Sequence, residues 1–126
     1  MRLVRLESGT CEILADTRVP GQIAGIPADR LADHKKLRTL LSRCAREGTA
    51  SLPSKVFKPA DKQNGIWEFK AGRYRAYCFK VGGRLIVVSS VHLKKQQKAP
   101  QREVQKAIRA KNRYQQASER GNLDIV

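Results

Sequence analysis

Hydrophobic residues gather most clearly in three runs divided by glycine, Ile66–Lys70, Arg73–Lys80 and Arg84–Val91, of which the middle one alternates. The first two are separated by Ala71-Gly72, the last two by Gly82-Gly83. Paired glycines between runs rich in aromatic and β-branched residues predict a hairpin, because a tight primed turn needs residues that accept positive φ. The pattern therefore predicts a three-stranded antiparallel meander. Side chains two apart share a face of a strand. Arg73, Arg75, Tyr77 and Phe79 fall on one face of the middle strand, and Tyr74, Ala76, Cys78 and Lys80 on the other. The third run (Leu85, Ile86, Val87, Val88) is apolar at consecutive positions, which predicts a central strand covered on both faces.

Before the meander, Leu31, Leu37, Leu40, Leu41, Cys44 and Ala45 repeat at helical spacing, which predicts a helix over 28–47 that stops at Gly48. Arg2–Glu7 reads as an edge strand that Cys11–Ala15 continues after a Ser8-Gly9 turn. Residues 16–27, with Pro20, Gly21, Gly25 and Pro27, read as a loop, and residues 49–65 as a connector with a short extended piece at Lys55–Lys58. After the meander, Pro100 and Glu103 suit a helix N-terminus, and the helix runs to about Glu119. Its apolar stripe is thin (Val104, Ala107, Ile108, Tyr114), which predicts a peripheral, basic helix. Residues 120–126 read as a loose tail and 1–28 as a strand-and-loop lead-in. The expected fold is one α+β domain over 1–126. Its sheet is small and antiparallel, of three to five strands, packed by the helix of the N-terminal half and accompanied by the basic C-terminal helix.

Charge changes this picture most. The 126 residues carry 26 Lys+Arg against 11 Asp+Glu, a net charge of +15. Residues 1–54 hold a net +3 and residues 55–126 a net +12, so the excess lies in the meander and beyond. Such a surface attracts phosphate backbones through counterion release, and acidic proteins as well. Three widely spaced cysteines without a Cys-x-x-Cys pair argue for a reducing compartment, and the presence of just two histidines argues against a zinc site. The opening MRLVRLE lacks the apolar core of a signal peptide and no run approaches membrane-spanning length, so a cytoplasmic location without membrane contact is expected.

The chain has no Gly-rich phosphate loop, no nucleophile elbow and no carboxylate cluster suited to two-metal nuclease chemistry. Phosphate chemistry without metal or cofactor remains open. RNA carries its own nucleophile, the 2′-hydroxyl. A protein then has to orient the strand, take a proton, stabilise charge on phosphorus and protonate the leaving 5′-oxygen. Arg73 and Arg75 on one strand face, beside the stackable Tyr77, fit the electrostatic part, as do Lys94, Lys95 and Lys98 after the last strand. His92 and Glu68 are the nearby groups able to exchange protons. The plainer alternative is a half-solvated sheet face with solubilising lysines.

The order Gly65-Ile66-Trp67-Glu68-Phe69-Lys70, Arg73-Tyr74-Arg75, apolar strand, Lys94-Lys95-x-x-Lys98-x-Pro100, then basic helix resembles the RelE/ParE superfamily of type II toxins, and within it the HigB-like, phage-derived branch. The resemblance covers about residues 57–114. It implies a compact fold with helices on one side of a small antiparallel sheet. It also implies a metal-independent endoribonuclease that cleaves messenger RNA in the ribosome, and a neutralising antitoxin. On the matching positions, Arg75 contacts the scissile phosphate, Lys95 stabilises the transition state, and Lys70 ends the preceding strand as a basic residue. Arg73, Lys94, Lys98 and Arg102 are then RNA contacts. The sequence lacks the C-terminal tyrosine of some relatives, and Ser90, not His92, stands where the HigB-like branch often has histidine. The antitoxin segment covering the cationic face is expected to be acidic or amphipathic. Two alternatives remain open at this point: a ParE-like toxin acting on DNA gyrase, and a basic RNA-binding protein without enzymatic activity.

Overall fold

The computed structural model describes residues 1–95 and 100–126. In chain order it contains β1 (Arg2–Glu7), β2 (Glu12–Asp16), α1 (Val19–Ala24), α2 (Leu31–Glu47), β3 (Phe57–Asp61), β4 (Ile66–Ala71), β5 (Tyr74–Val81), β6 (Leu85–Leu93), α3 (Gln101–Glu119) and β7 (Asp124–Ile125). The strands form one sheet in the order β3-β4-β5-β6-β2-β1-β7.

The meander β4-β5-β6 is antiparallel, with Gly72 and Gly82 both at φ +60° in its two turns. The expectation of three to five antiparallel strands is overturned. The sheet has seven strands and is mixed, because β2 lies parallel to β6 and β7 lies parallel to β1. Parallel pairing joins strands far apart in sequence, so no turn signal announces it. Residues 124–125, expected in a loose tail, are tied to the edge: Asp124 N–H donates to Met1 O (2.9 Å) and Val126 N–H to Leu3 O (2.8 Å). The expected loop at 16–27 contains α1. Val19 and Ile23, four apart, bury on one side of that helix, and the Gln22 side-chain oxygen accepts the Val91 N–H at 2.8 Å.

The sheet is covered on both faces, contrary to the expectation of helices on one side. Leu37, Leu40, Leu41, Cys44 and Ala45 of α2 pack with Phe69, Tyr74, Ala76 and Cys78. Val104, Ala107, Ala110 and Tyr114 of α3 pack with Ile66, Tyr77, Phe79 and Val87. Ala76 and Cys78 alternate with Tyr77 and Phe79 along β5, so the two helices lie on opposite faces. The helix α3 is therefore not peripheral. Its alanines are small enough to bring it close to the sheet, and a stripe of small residues buries as completely as a stripe of leucines.

One irregularity decides where the chemistry falls. In the β5–β6 register Tyr77 faces Ser90 but Cys78 faces Val88, so Ser89 is an extra residue on β6. Its Oγ donates to Tyr77 O at 3.1 Å. A bulge of one residue switches the faces of everything beyond it. Val88 and Val91 consequently both join the α2-side core, while Ser90 and His92 turn to the α3 side, beside Tyr77 and Arg75.

Candidate nucleic-acid cleft

The site starts at the turn between β4 and β5. Gly72 sits at φ +60°, and a Cβ there would overlap the Asp33 carboxylate of α2. That carboxylate accepts the Arg73 N–H (3.3 Å) and lies 4.0 Å from the Arg30 guanidinium. Arg75 folds back on the same turn: its Nη1 donates to Gly72 O (2.8 Å) and Tyr74 O (3.0 Å). Lys94 N–H closes the other side by donating to Arg73 O at 2.7 Å. Helix, turn and strand exit thus fix one another. Gly72→Ala should cost about 2 kcal/mol or more in urea unfolding, from the left-handed backbone and the displaced carboxylate together. Adding Asp33→Ala should recover part of that loss. Parental stability in the single variant would mean that the turn tolerates a different backbone.

Over this turn opens a cleft of about 420 Å³, lined by Lys58, Lys70, Arg73, Arg75, Lys94 and Lys95 together with Gly72. Of the sequence candidates, Arg75, Lys95, Lys70, Arg73 and Lys94 therefore come together. Lys58 was missed by sequence reasoning. It stands opposite Glu68 in the β3–β4 register, and the short extended piece at Lys55–Lys58 was the signal that could have found it. Lys98 lies outside the described residues. Arg102 is exposed on the first turn of α3 and does not line the cleft.

Below the cations, besides the Asp33 carboxylate at the turn, lies Glu68. Glu68 is 3% exposed, with Arg75 Nε 3.7 Å and Lys58 Nζ 3.9 Å from its oxygens. Arg75 is itself only 7% exposed. The Glu68–Arg75 approach is too long for a hydrogen bond, and both facing atoms, Glu68 Oε2 and Arg75 Nε, are without one. The Tyr77 hydroxyl and Ser90 Oγ are also buried and, among the described residues, unpartnered. Tyr77 is fully buried, so its ring has no surface for a base to stack on, and this differs from the stacking face expected of β5. Burial, then the Glu68 charge, pushes its phenol up, against Arg75. Burial, and then Arg75, holds the Lys94 ammonium below its ordinary value.

His92 pairs with Arg75 across β5–β6, and its Nδ1 lies 3.6 Å from Glu103 Oε1 at the start of α3. Lys106 Nζ is 3.2 Å from the other oxygen of Glu103. His92 thus stands beside the cleft in the Lys70–Arg75–His92 row of the sheet, without lining the cleft itself. Among the described residues no three His, Cys, Asp or Glu side chains converge as metal ligands, and no helix is long and apolar enough to cross a membrane.

A family model described as "Phage derived protein Gp49-like (DUF891)" matches residues 27–112. That span runs from the approach to α2 into α3 and contains every cation of the cleft. No curated protein matches the chain significantly.

Proposed function

The chain belongs to the Gp49-like family of the RelE/ParE-like toxin superfamily, a family associated with RelE-type toxins of toxin–antitoxin systems, and on that premise we propose that it is a toxin that cleaves messenger RNA. The carrying observation is the cleft: six Lys and Arg side chains line it, among the described residues no carboxylate does, and Glu68 lies buried beneath them while Asp33 is engaged by the turn. A phosphate backbone satisfies such a cleft better than a neutral ligand does. The motif from Gly65 to Pro100 favours the HigB-like branch within the superfamily.

In the proposed reaction the 2′-oxygen attacks the neighbouring phosphorus, a P–O2′ bond forms and the P–O5′ bond breaks. The products are a 2′,3′-cyclic phosphate and a 5′-hydroxyl. Arg75 holds the scissile phosphate, and Lys95 and Lys70 stabilise the extra negative charge that develops on it. Lys94, made more acidic by burial and by Arg75, suits donation of a proton to the leaving 5′-oxygen. His92 is more open than Glu68 and is the group assigned to take the 2′-hydroxyl proton, with Glu103 facing its Nδ1. Glu68 holds the Arg75 guanidinium in place from below.

The lowered Lys94 value has a measurable consequence. A neutral Lys94 loses one phosphate contact, so RNA affinity should begin to fall at a lower pH than an ordinary lysine would allow. Lys94→Arg should extend the plateau upward, since guanidinium stays charged. Fluorescence anisotropy with an uncleavable RNA, followed from roughly pH 7 to 10.5, reads this directly. Identical profiles for parent and variant would remove Lys94 from the contact set.

The function itself is tested by tightly controlled induction in cells and mapping of messenger RNA 5′-ends, beside an Arg75→Ala/Lys95→Ala variant. New ends inside coding regions, absent with the variant, support the ribonuclease, and their codon phase reports whether cleavage happens on the ribosome. Growth arrest without new ends, together with inhibited DNA supercoiling, would assign the gyrase activity instead. A cognate antitoxin is expected to be recovered as a small acidic protein bound over the cleft.

A further inference from the structure

A second cationic groove lies apart from the cleft. Along α3 the residues Lys106, Arg109, Arg113, Gln116 and Arg120 follow one another at spacings of three or four, which puts them on one stripe of the helix. The adjoining face of that helix buries Val104, Ala107, Ala110, Tyr114 and Ala117, of which Ala110 and Ala117 also floor the groove. The stripe borders two adjoining hollows of about 470 and 450 Å³. They share Asp16, Arg113 and Gln116 and so form one groove, with Arg18 and Arg2 contributing from the sheet side.

Half of the charges of this groove are unspent: Arg2 pairs with Asp124 (3.2 Å) and Lys106 with Glu103 (3.2 Å) at its two ends, while among the described residues the arginines between them on the helix do not pair. Asp16 is its one acid, and Arg18 already holds it, with Nε at 3.0 Å and the Arg18 N–H at 2.9 Å. Burial would push the Asp16 carboxyl up, but the hydrogen bonds from Arg18 and the charge of Arg113 outweigh it and hold the value down. Among the described residues neither Arg109 nor Arg113 has a carboxylate within ion-pair distance. From Lys106 to Arg120 the stripe rises about 21 Å, the axial length over which one strand of B-form DNA carries roughly six phosphates and an A-form RNA strand somewhat more.

The walls also say what the groove does not suit. Its apolar lining is limited to alanines and Met1, with no aromatic side chain. An amphipathic protein helix needs apolar anchors in its groove, and an unstacked single strand gains much of its affinity from aromatic platforms. A repeating phosphate backbone needs only cations at intervals, and arginine is the side chain best shaped for it.

We propose that this groove is a second nucleic-acid site, which takes the phosphate backbone of base-paired RNA without reading its sequence. Glu103, which faces His92 at the edge of the cleft, also meets Lys106 at the head of the groove. A folded RNA seated on α3 would therefore reach, at Lys106, the carboxylate that faces His92. The site gives the proposed ribonuclease a hold on structured RNA and rests on that reading only for its use, since its binding needs no cleavage.

The test is anisotropy with a labelled 2′-O-methyl RNA hairpin, which the proposed reaction cannot cut because its 2′-oxygens are blocked. Arg109→Gln/Arg113→Gln is compared with the parent and with the cleft variant Lys94→Gln/Lys95→Gln over a range of salt. The groove variant should bind at least about tenfold more weakly at 0.1 M salt, and its log–log salt slope should be shallower by about 2, one phosphate contact per arginine. The same loss should persist on top of the cleft variant, and the melting temperature should stay at the parental value. Unchanged affinity and slope would overturn the proposal. So would a groove variant that keeps the hairpin but loses poly-glutamate, which would mark the groove as a site for an acidic protein. A chain that binds the hairpin through the groove but cuts no RNA would leave this site standing and remove the cleavage reading.

Discussion

Arg75→Ala is expected to lower the rate of RNA cleavage by about 10²–10³-fold, the cost of removing one preorganised group that stabilises transition-state charge. The geometry makes this residue the most demanding of the cleft. Its guanidinium is almost wholly buried, pinned by two carbonyls of its own turn and set against Glu68. Such a group is already placed when the phosphate arrives and needs no reorganisation. Lys95 differs: it is exposed and serves the same cleft from the strand exit. Lys95→Ala should therefore lose activity with little change in melting temperature, whereas Arg75→Ala should lose both. Arg75→Lys separates the two roles, since it keeps the charge but lacks the guanidinium that lets Nη1 bind the Gly72 and Tyr74 carbonyls while further N–H groups stay free for the phosphate. The double Arg75→Ala/Lys95→Ala variant should fall short of the product of the single effects, because the two groups act on one phosphate. Single-turnover cleavage of a short RNA, with thermal melts of each variant, provides the check. Parental rates in Lys95→Ala, with its fold intact, would remove that residue from the proposed machinery.

The part of this site that was legible in the sequence is the part built from local signals. Glycines placed the turns of the meander, alternation placed Arg75 and Tyr77 on one face, and helical spacing placed α2. The cations of the cleft were named because they sit at strand ends, where turns gather them. What escaped was set by contacts distant in sequence. The parallel seating of β2 on β6 has no turn to announce it. The two-residue β7 is an ordinary tail until it meets Met1 and Leu3. Lys58 joins the cleft only through the pairing of β3 with β4, and β3 carries Pro59, which is compatible with an edge position alone. The faces of β6 were not legible either. Strict alternation along 85–93 would separate Val88 from Val91, and only the bulge at Ser89 puts them together and turns His92 toward Arg75.

That turned row also explains why Tyr77 differs from its expected role. It is flanked by Glu68 on one side and Ser90 on the other, and α3 lies over the same face. Reading α3 as peripheral left the ring uncovered. Once its alanines are counted as packing residues, β5 between Arg75 and Phe79 becomes the boundary between an α3-covered core and an open cationic cleft. Tyr77 belongs to the covered side and Arg75 to the rim.

Glu68→Ala is the second large effect expected, and it falls on stability. Removing one member of a buried ion pair leaves its partner uncompensated, at a cost of about 3–5 kcal/mol. Arg75 keeps its two carbonyl acceptors, so the lower end of that range applies. For a chain of this size that is a fall of about 10 °C or more in melting temperature. The loss should be largely recovered in Glu68→Leu/Arg75→Leu, where neither charge is buried, and this coupling separates a structural pair from two independent sites. Glu68→Gln should lie between, since the amide retains an acceptor but not the charge. If Glu68→Ala melts with the parent, the guanidinium is held by the Gly72 and Tyr74 carbonyls alone, and Glu68 is left available to take a proton. If it melts low and Glu68→Leu/Arg75→Leu is rescued in stability yet inert toward RNA, the carboxylate serves to hold the arginine, and the chemistry belongs to the cations above it.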